Sequence, residues 1–381
     1  MACIEGCSKL LLFHSQQFGM DEGIRKAAQE KIDGKAKPPG SLGVLETLAV
    51  RLSCMQKTLN PEIQCATLIV FAGDHGVCEA EPGISAYTRS VTLPVFRGVA
   101  TGLAASSVLC ATNGCNLDLV DVGVDGEIGD VIRTRSNEHV RVFGNDRVRN
   151  GSRNMLNETA LSTEELEKCL QIGRNAVARI VDRHTYEPSR HVICVGELGI
   201  GNTTAASAIV SALTKEEPEK TTGPGTGLTS EGVERKAGVI RQALQKHKEF
   251  MDIGGPLAIL QAVGGLEIAA MTGSFMFCAE HEIPVVADGY ISCAAASIAF
   301  AMNGNLADYL FWSHQSSEPG AQVIFKWWSS RARNSESNPS EIQPVLDMKM
   351  RLGEGTGAVM LVPILKSAAS IMKSMADLDN L

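Results

Sequence analysis

The sequence predicts an α/β fold in which a parallel sheet is covered by helices on both faces. Short apolar runs of strand type recur at 66–73, 117–123, 191–196 and 283–288. Between and around them, segments with helical spacing of apolar residues occupy 91–111, 162–182, 231–250 and 265–280. Strands separated by helices in this way build a parallel sheet buried on both sides. A third observation says where a ligand would sit. The strand runs end in Gly or an acid, at Gly73-Asp74-His75, Asp121-Val122-Gly123, Gly196-Glu197 and Asp288-Gly289, and in open α/β sheets the ligand crevice lies beyond those ends.

Taken in order, residues 1–60 read as mainly helical. Lys37-Pro-Pro-Gly-Ser-Leu-Gly43 is a rigid turn leading to a helix with Leu45, Leu48 and Leu52 on its inner face. Phe71-Ala-Gly-Asp-His-Gly-Val77 closes the first strand. Only eight histidines occur and none is spaced as H-x-x-x-H, so Asp74 and His75 are expected to brace the loop by hydrogen bonds and not to hold a metal. Ser162-Thr-Glu-Glu165 fits a capping box, with Leu166, Leu170, Val177 and Ile180 following on one face. The polar, Ser- and Pro-rich stretch 329–344 is expected to be an exposed loop or insertion. Residues 345–381 again look helical. The expected organisation is an α/β core over 61–344, with 1–60 and 345–381 forming a small helical subdomain.

With 44% hydrophobic and 20% charged residues over 381 positions, the chain has the composition of a globular protein with a substantial core. The formal charge of −8 and the absence of a Lys/Arg cluster argue against a nucleic-acid groove, so no nucleic-acid partner is expected. Eleven scattered cysteines without a C-x-x-C pair suggest reduced thiols in a cytosol-like compartment, hence a cytoplasmic protein, and argue against zinc. The apolar run 10–13, preceded by an acid, does not make a signal peptide. No run reaches the roughly 18 apolar residues of a membrane span, so no membrane partner is expected.

Chemistry concentrates in the glycine loops. Val192 to Ser207 reads strand, loop, helix: Glu197 follows the strand, Gly199 and Gly201 follow it, and Asn202-Thr203-Thr204 opens an alanine-rich helix. Backbone N–H groups at such a helix start suit an anion. The spacing is G-x-x-G-x-G, neither a P-loop nor the dinucleotide fingerprint, and a tight packing turn is the plain alternative. Thr222-Gly-Pro-Gly-Thr-Gly-Leu228 is a second such loop, followed by a helix carrying Lys236. Two loops and a cation are better explained by a phosphate group than by connectors alone. Ser316 and Ser317, in Ser313-His-Gln-Ser-Ser-Glu-Pro-Gly320, offer further donors. Arg351-Leu-Gly-Glu-Gly-Thr-Gly357 sets Glu354 between glycines ahead of an apolar helix. Apolar neighbours there would desolvate the carboxylate and raise its pKa toward that of a useful base.

In their order, KPPGSLGVLE, FAGDHGV, GISAYTRSVT, VGELGIGNTTAAS, GPGTGL, VGGLEIAAMTG, PVVADGYISCAAA, SHQSSEPGA and RLGEGTGA resemble the nicotinate-nucleotide:dimethylbenzimidazole phosphoribosyltransferases, from about residue 31 to the end. That family makes the lower-ligand nucleotide of cobalamin. The resemblance implies a Rossmann-like core with a small helical domain, a homodimer, and no metal or organic cofactor. It implies nicotinate mononucleotide and a benzimidazole-type base as substrates. By matching positions, Glu354 resembles the family's general base. The nucleotide phosphate would rest on Gly199, Gly201, Asn202, Thr203, Gly225, Lys236 and Ser316. Glu197 and Asp288 would lie near the ribose and the reacting centre, and Tyr87, Leu198 and Leu352 would line the base pocket. One departure is visible: the family often carries a glutamine shortly after the Val-Thr of the third motif, where this chain reads Val91-Thr-Leu-Pro-Val95. This leaves the accepted base open. An oxidoreductase on a doubly wound sheet is disfavoured by the missing G-x-G-x-x-G, and a non-catalytic homologue by the presence of both Glu197 and Glu354.

Overall fold

The computed structural model describes residues 21–129, 139–332 and 342–380. Six strands form one sheet: β1 (Cys65–Gly73), β2 (Asn116–Gly123), β3 (Val140–Phe143), β4 (His191–Leu198), β5 (Val285–Ala287) and β6 (Leu310–Trp312). Their order is β3-β2-β1-β4-β5-β6, and every pairing is parallel. The helices are α1 (Glu22–Asp33), α2 (Val44–Met55), α3 (Val77–Ala80), α4 (Thr92–Ala100), α5 (Ala105–Thr112), α6 (Thr163–Val181), α7 (Asn202–Thr214) and α8 (Pro218–Thr221). They continue with α9 (Ser230–Lys246), α10 (Lys248–Val263), α11 (Leu266–Glu280), α12 (Tyr290–Met302), α13 (Leu306–Tyr309), α14 (Pro319–Ala332) and α15 (Thr356–Ser374). The strand order is the doubly wound, Rossmann-like one. The chain runs outward on one side of β1, then returns to build β4, β5 and β6 on the other, which places the reversal between β1 and β4.

Alternation along the strands creates two cores. Ile69, Phe71, Val120, Val122, Ile193 and Val195 point to the face covered by α6, α7 and α9 to α12. Leu68, Val70, Leu117, Leu119, Val192 and Cys194 point to the opposite face, under α1, α2, α4, α5 and α15. The terminal helical segments therefore lie directly on the sheet and share its second core.

Several expectations need correction. The strands at 140–143 and 310–312 were not anticipated, and the strand expected at 283–288 is confined to Val285–Ala287. The helix expected over 91–111 is broken between Ala100 and Ala105, where Gly102 takes φ 83. The helix expected over 231–250 ends at Lys246, and α10 begins at Lys248. In the expected loop 329–344, residues 329–332 belong to α14 and Ile342 is buried in the core; 333–341 lie outside the described residues. By length and composition alone, 89–112 and Thr356–Ser374 would suffice to cross a membrane, though neither is an unbroken apolar run. The first is the interrupted segment just described, and α15 packs on β1, β4, α2 and α5.

The capping box at Ser162 is present: the Ser162 hydroxyl accepts from the Glu165 N–H, and the Glu165 side chain accepts from the Ser162 N–H. Such a cap contributes about 1 kcal/mol. In the Lys37 to Gly43 turn, Glu46 accepts from the N–H groups of Gly40 and Leu42 at 3.1 and 2.8 Å. It also pairs with Lys37 at 2.9 Å, which fixes the entry to α2.

Candidate active site at the strand tips

Beyond the C-terminal ends of β1 and β4, the chain reversal gathers loops from both halves of the sheet. At β1, Asp74 and His75 make the expected bracing hydrogen bonds. The Thr92 hydroxyl donates to Asp74 Oδ1 at 2.5 Å and the Asp125 N–H to Oδ2 at 2.8 Å, while His75 Nε2 lies 2.6 Å from Glu267 Oε1. Thr92 also accepts from the Ile200 N–H at 3.2 Å, coupling this brace to the glycine loop after β4.

That loop hugs the sheet. A Cβ on Gly199 would come within 1.9 Å of the Gly73 carbonyl oxygen, so no larger residue fits there. Gly201, at φ 106, is the N-cap of α7; the Asn202 and Thr204 N–H groups bond back to the Gly199 and Gly201 carbonyls at 3.4 and 2.9 Å, and the positive end of the helix dipole faces the loop. Lys236, fully buried, donates from Nζ to Thr203 Oγ1 at 2.8 Å and to the Gly223 carbonyl at 3.3 Å. Burial lowers its pKa to about 8, while the charge of Glu318 acts to raise it. A small cavity lined by Gly199–Thr203, Pro224, Thr226 and Lys236 results. A helix start and one ammonium suit such a cavity to a tetrahedral anion. Two residues expected there are engaged differently: the Gly225 N–H donates to Glu318 Oε1 at 2.8 Å, and the hydroxyl of half-buried Ser316 accepts from the Glu318 N–H at 3.3 Å.

Acids converge beside this cavity. Glu197, at the tip of β4, is 4% exposed and accepts from the Asn202 side-chain amide. Its carboxylate also accepts from the backbone of Glu354. Burial, with Asp288, Glu267 and Glu354 nearby, pushes its pKa well above the usual carboxylate range, which favours its protonated form. Glu354 is itself buried and held at φ 58 between Gly353 at φ 83 and Gly355 at φ 74. Left-handed geometry at a non-glycine residue is strained. Packing enforces it: a Cβ on Gly196 would meet Gly355 N at 2.5 Å, and one on Gly355 would meet Leu68 Cδ1 at 2.2 Å. Burial raises the Glu354 pKa and Asp288 adds to this, while hydrogen bonds from Ser106 act the other way. The Ser106 hydroxyl donates to Glu354 Oε2 at 3.3 Å.

Asp288 is buried at the end of β5, and its Oδ1 accepts the Ala358 N–H of α15 at 3.0 Å. It therefore holds the start of α15, and with it the Glu354 turn, against the sheet. Leu198 is buried at the end of β4, whereas Tyr87 and Leu352 are 53% and 57% exposed. Ser106, Glu267 and Glu318 escaped the reading of the sequence. A weak signal existed for Glu267, an acid one residue into a helix after Gly264-Gly265.

Among the described residues, one group has metal-ligand character: Cys65, His184 and His191, whose ligand atoms lie within 4.8 Å of one another. It sits at the opposite, N-terminal end of β1 and β4. Both His191 nitrogens are already hydrogen-bonded, at 3.0 Å to the Thr67 hydroxyl and at 3.0 Å to the Tyr186 hydroxyl. Desolvation and the charge of Arg141 depress the pKa values of both imidazoles, surroundings that disfavour a further cation. The described cysteines are free thiols.

Comparison with known proteins shows the family to which this architecture belongs. A family model described as "Phosphoribosyltransferase" (DBI_PRT) matches residues 19–380. The chain is 37% identical over 356 residues to the nicotinate-nucleotide--dimethylbenzimidazole phosphoribosyltransferase of Xanthomonas euvesicatoria pv. vesicatoria, covering 93% of each. It is 36% identical over 356 residues to the protein of the same name from Pseudomonas aeruginosa, again covering 93% of each. The crystal structure of CobT from Thermus thermophilus superposes with a TM-score of 0.81 at 34% identity, over 94% of this chain and 98% of that one.

Proposed function

The chain belongs to the nicotinate-nucleotide--dimethylbenzimidazole phosphoribosyltransferase family, and we propose that the amides and acids at its strand tips carry out that transfer. The enzyme is a glycosyltransferase. It moves the phosphoribosyl group of nicotinate mononucleotide to 5,6-dimethylbenzimidazole or a related base, releasing nicotinate and forming the α-riboside 5′-phosphate used as the cobalamin lower ligand. The observation that supports the assignment of roles is the buried Glu354 turn, set beside a cavity of helix-start amides that ends in Lys236.

In this reading the nucleotide phosphate occupies the cavity of Gly199–Thr203 and Lys236, and the ribose extends toward Glu197. Departure of nicotinate takes both electrons of the glycosidic bond, which neutralises the pyridinium nitrogen and builds positive charge at C1′. Glu197 lies where it can share a hydrogen bond with a ribose oxygen, and the positive pyridinium ring of the bound nucleotide favours its carboxylate form, which supplies negative charge as C1′ becomes electron-poor. The azole nitrogen attacks C1′ from the face opposite the leaving group, turning a β link into an α link, while Glu354 accepts the azole N–H proton. Asp288 acts by holding the start of α15. The steps balance without a redox or metal cofactor.

In this scheme Ser316, whose hydroxyl accepts from the Glu318 N–H, still has its own proton to donate to the phosphate, and Gly225 contributes through the shape of its loop, its N–H being held by Glu318. Tyr87, Leu198 and Leu352 form the base pocket once a second copy or the base itself covers the two exposed side chains. A cytoplasmic homodimer is the proposed form, and the exposed apolar side chains of Val44, Leu103 and Val108 support a second copy. The division into a 61–344 core and a helical subdomain of 1–60 with 345–381 is retained as a proposal.

The decisive assay incubates the protein with nicotinate mononucleotide and 5,6-dimethylbenzimidazole and analyses the products by mass and by anomeric proton coupling. Stoichiometric nicotinate and an α-riboside phosphate are expected. Absence of both would overturn the reading, and a β-riboside would overturn the proposed direction of attack.

A further inference from the structure

Glu318 lies just before α14, and its hydrogen bonds bear on the phosphate cavity without its lining it. The carboxylate is 7% exposed. Its Oε1 takes the Gly225 N–H at 2.8 Å. Its Oε2 is buried with no hydrogen-bond partner among the described residues, and it sits so close to Gly223 that a Cβ there would come within 2.3 Å of it. Lys236 grips the same loop at the Gly223 carbonyl, 3.3 Å from Nζ, and a Cβ on Gly225 would lie 3.5 Å from Nζ. Pro224, Thr226 and Lys236 line the cavity, whereas Glu318 does not. A carboxylate and an ammonium are thus buried around one short loop.

Neither charge is stable alone in such a place. The charged groups acting on Lys236 are Glu318 and Cys78. Burial pushes the Cys78 thiol up to about 11, so it is neutral at working pH. Arg89 and Asp74 act on Cys78, not on the lysine. Glu318 is left as the counter-charge.

We propose that Glu318 is a positioning residue for the nucleotide phosphate: it fixes the 223–226 loop through the Gly225 amide and, through its negative charge, keeps the buried side chain of Lys236 an ammonium. This rests on the phosphate assignment made above. Two functions are thereby joined in one side chain, the shape of the cavity wall and the charge at its end, and they separate by substitution. Gln keeps an acceptor oxygen at the same reach and loses the charge. Asp keeps the charge and shortens the reach.

The test is the KM for nicotinate mononucleotide as a function of pH above 7, where the substrate phosphate, with a second pKa of about 6, is already dianionic. Lys236 is charged below its pKa of about 8. Loss of the Glu318 charge lowers that pKa, so the alkaline rise in KM should begin about one pH unit earlier in E318Q, with kcat at saturation within about twofold of the parent. E318D should keep the parental pH dependence and raise KM by a similar factor at every pH. If both variants follow the parental curve in position and height, or if E318D shifts the limb and E318Q does not, the proposal fails. K236A separates this from the underlying assignment. An unchanged KM in K236A would sink the phosphate site itself, whereas a raised KM in K236A with a parental E318Q profile would sink only the role of Glu318. If E318Q does not fold, as judged by circular dichroism, E318D decides: a limb displaced to lower pH overturns the proposal and an unmoved limb with raised KM supports it.

Discussion

The Ser106 hydroxyl donates to Glu354 Oε2 at 3.3 Å across 248 positions of sequence, tying α5 to the turn ahead of α15. This bond stabilises the ionised carboxylate and opposes the upward push of burial on its pKa. Ser106→Ala should therefore raise the Glu354 pKa further. Because a base works only when unprotonated, the acid limb of kcat should move to higher pH, with activity near the alkaline plateau little changed. A pH–rate profile checks this, and an unmoved acid limb would detach Ser106 from the chemistry.

Glu354→Gln removes the proton acceptor and keeps the shape of the turn. Turnover is expected to fall by about two orders of magnitude or more, with nucleotide binding largely intact. Single-turnover rates and nucleotide titration measure the two separately. Retained turnover would take Glu354 out of the role.

Glu197 makes the folded protein sensitive to alkali. Its folded pKa lies well above the ordinary value of 4.5, so the native state holds this proton more tightly than the unfolded chain does. The associated stability is present at pH below about 4.5 and is lost as pH rises toward the folded pKa. Glu197→Gln abolishes that loss. The variant should melt at a higher temperature than the parent at pH 8, with a smaller gap at pH 5, while its turnover falls. Equal gaps at the two pH values would mean that Glu197 is not protonated in the native state.

Gly199→Ala should be disruptive out of proportion to one methyl group, because the added Cβ would stand 1.9 Å from the Gly73 carbonyl oxygen. The backbone on one side must move. A destabilisation of about 1–3 kcal/mol by denaturant titration, with a raised nucleotide KM, is expected. Near-parental values for both would show that the loop has slack.

The central strands were readable because they are buried on both faces and rich in β-branched residues. β3 and β6 were not, for a physical reason: each lies at an edge of the sheet and spans only four and three residues. Val140-Arg-Val-Phe143 is too short to establish a period, and Leu310-Phe-Trp312 is indistinguishable from the apolar run around it. In the site, Glu197 and Glu354 stood out because glycines flank both, a local pattern that survives in one dimension. Glu267, Ser106 and Glu318 had no such mark. Their partners, His75, Glu354 and Gly225, lie far off in sequence and meet them only through the packing of whole helices and loops. Asp288 was found for its position at a strand end, but its bond to the Ala358 N–H belongs to the docking of α15 and no motif announces it.

The left-handed backbone at Glu354 is held by contacts with Gly196 of β4 and Leu68 of β1. The turn therefore cannot take its shape until those two strands, more than a hundred positions apart in sequence, have paired. The carboxylate is thus set in place late in folding, and a partly assembled molecule lacks it.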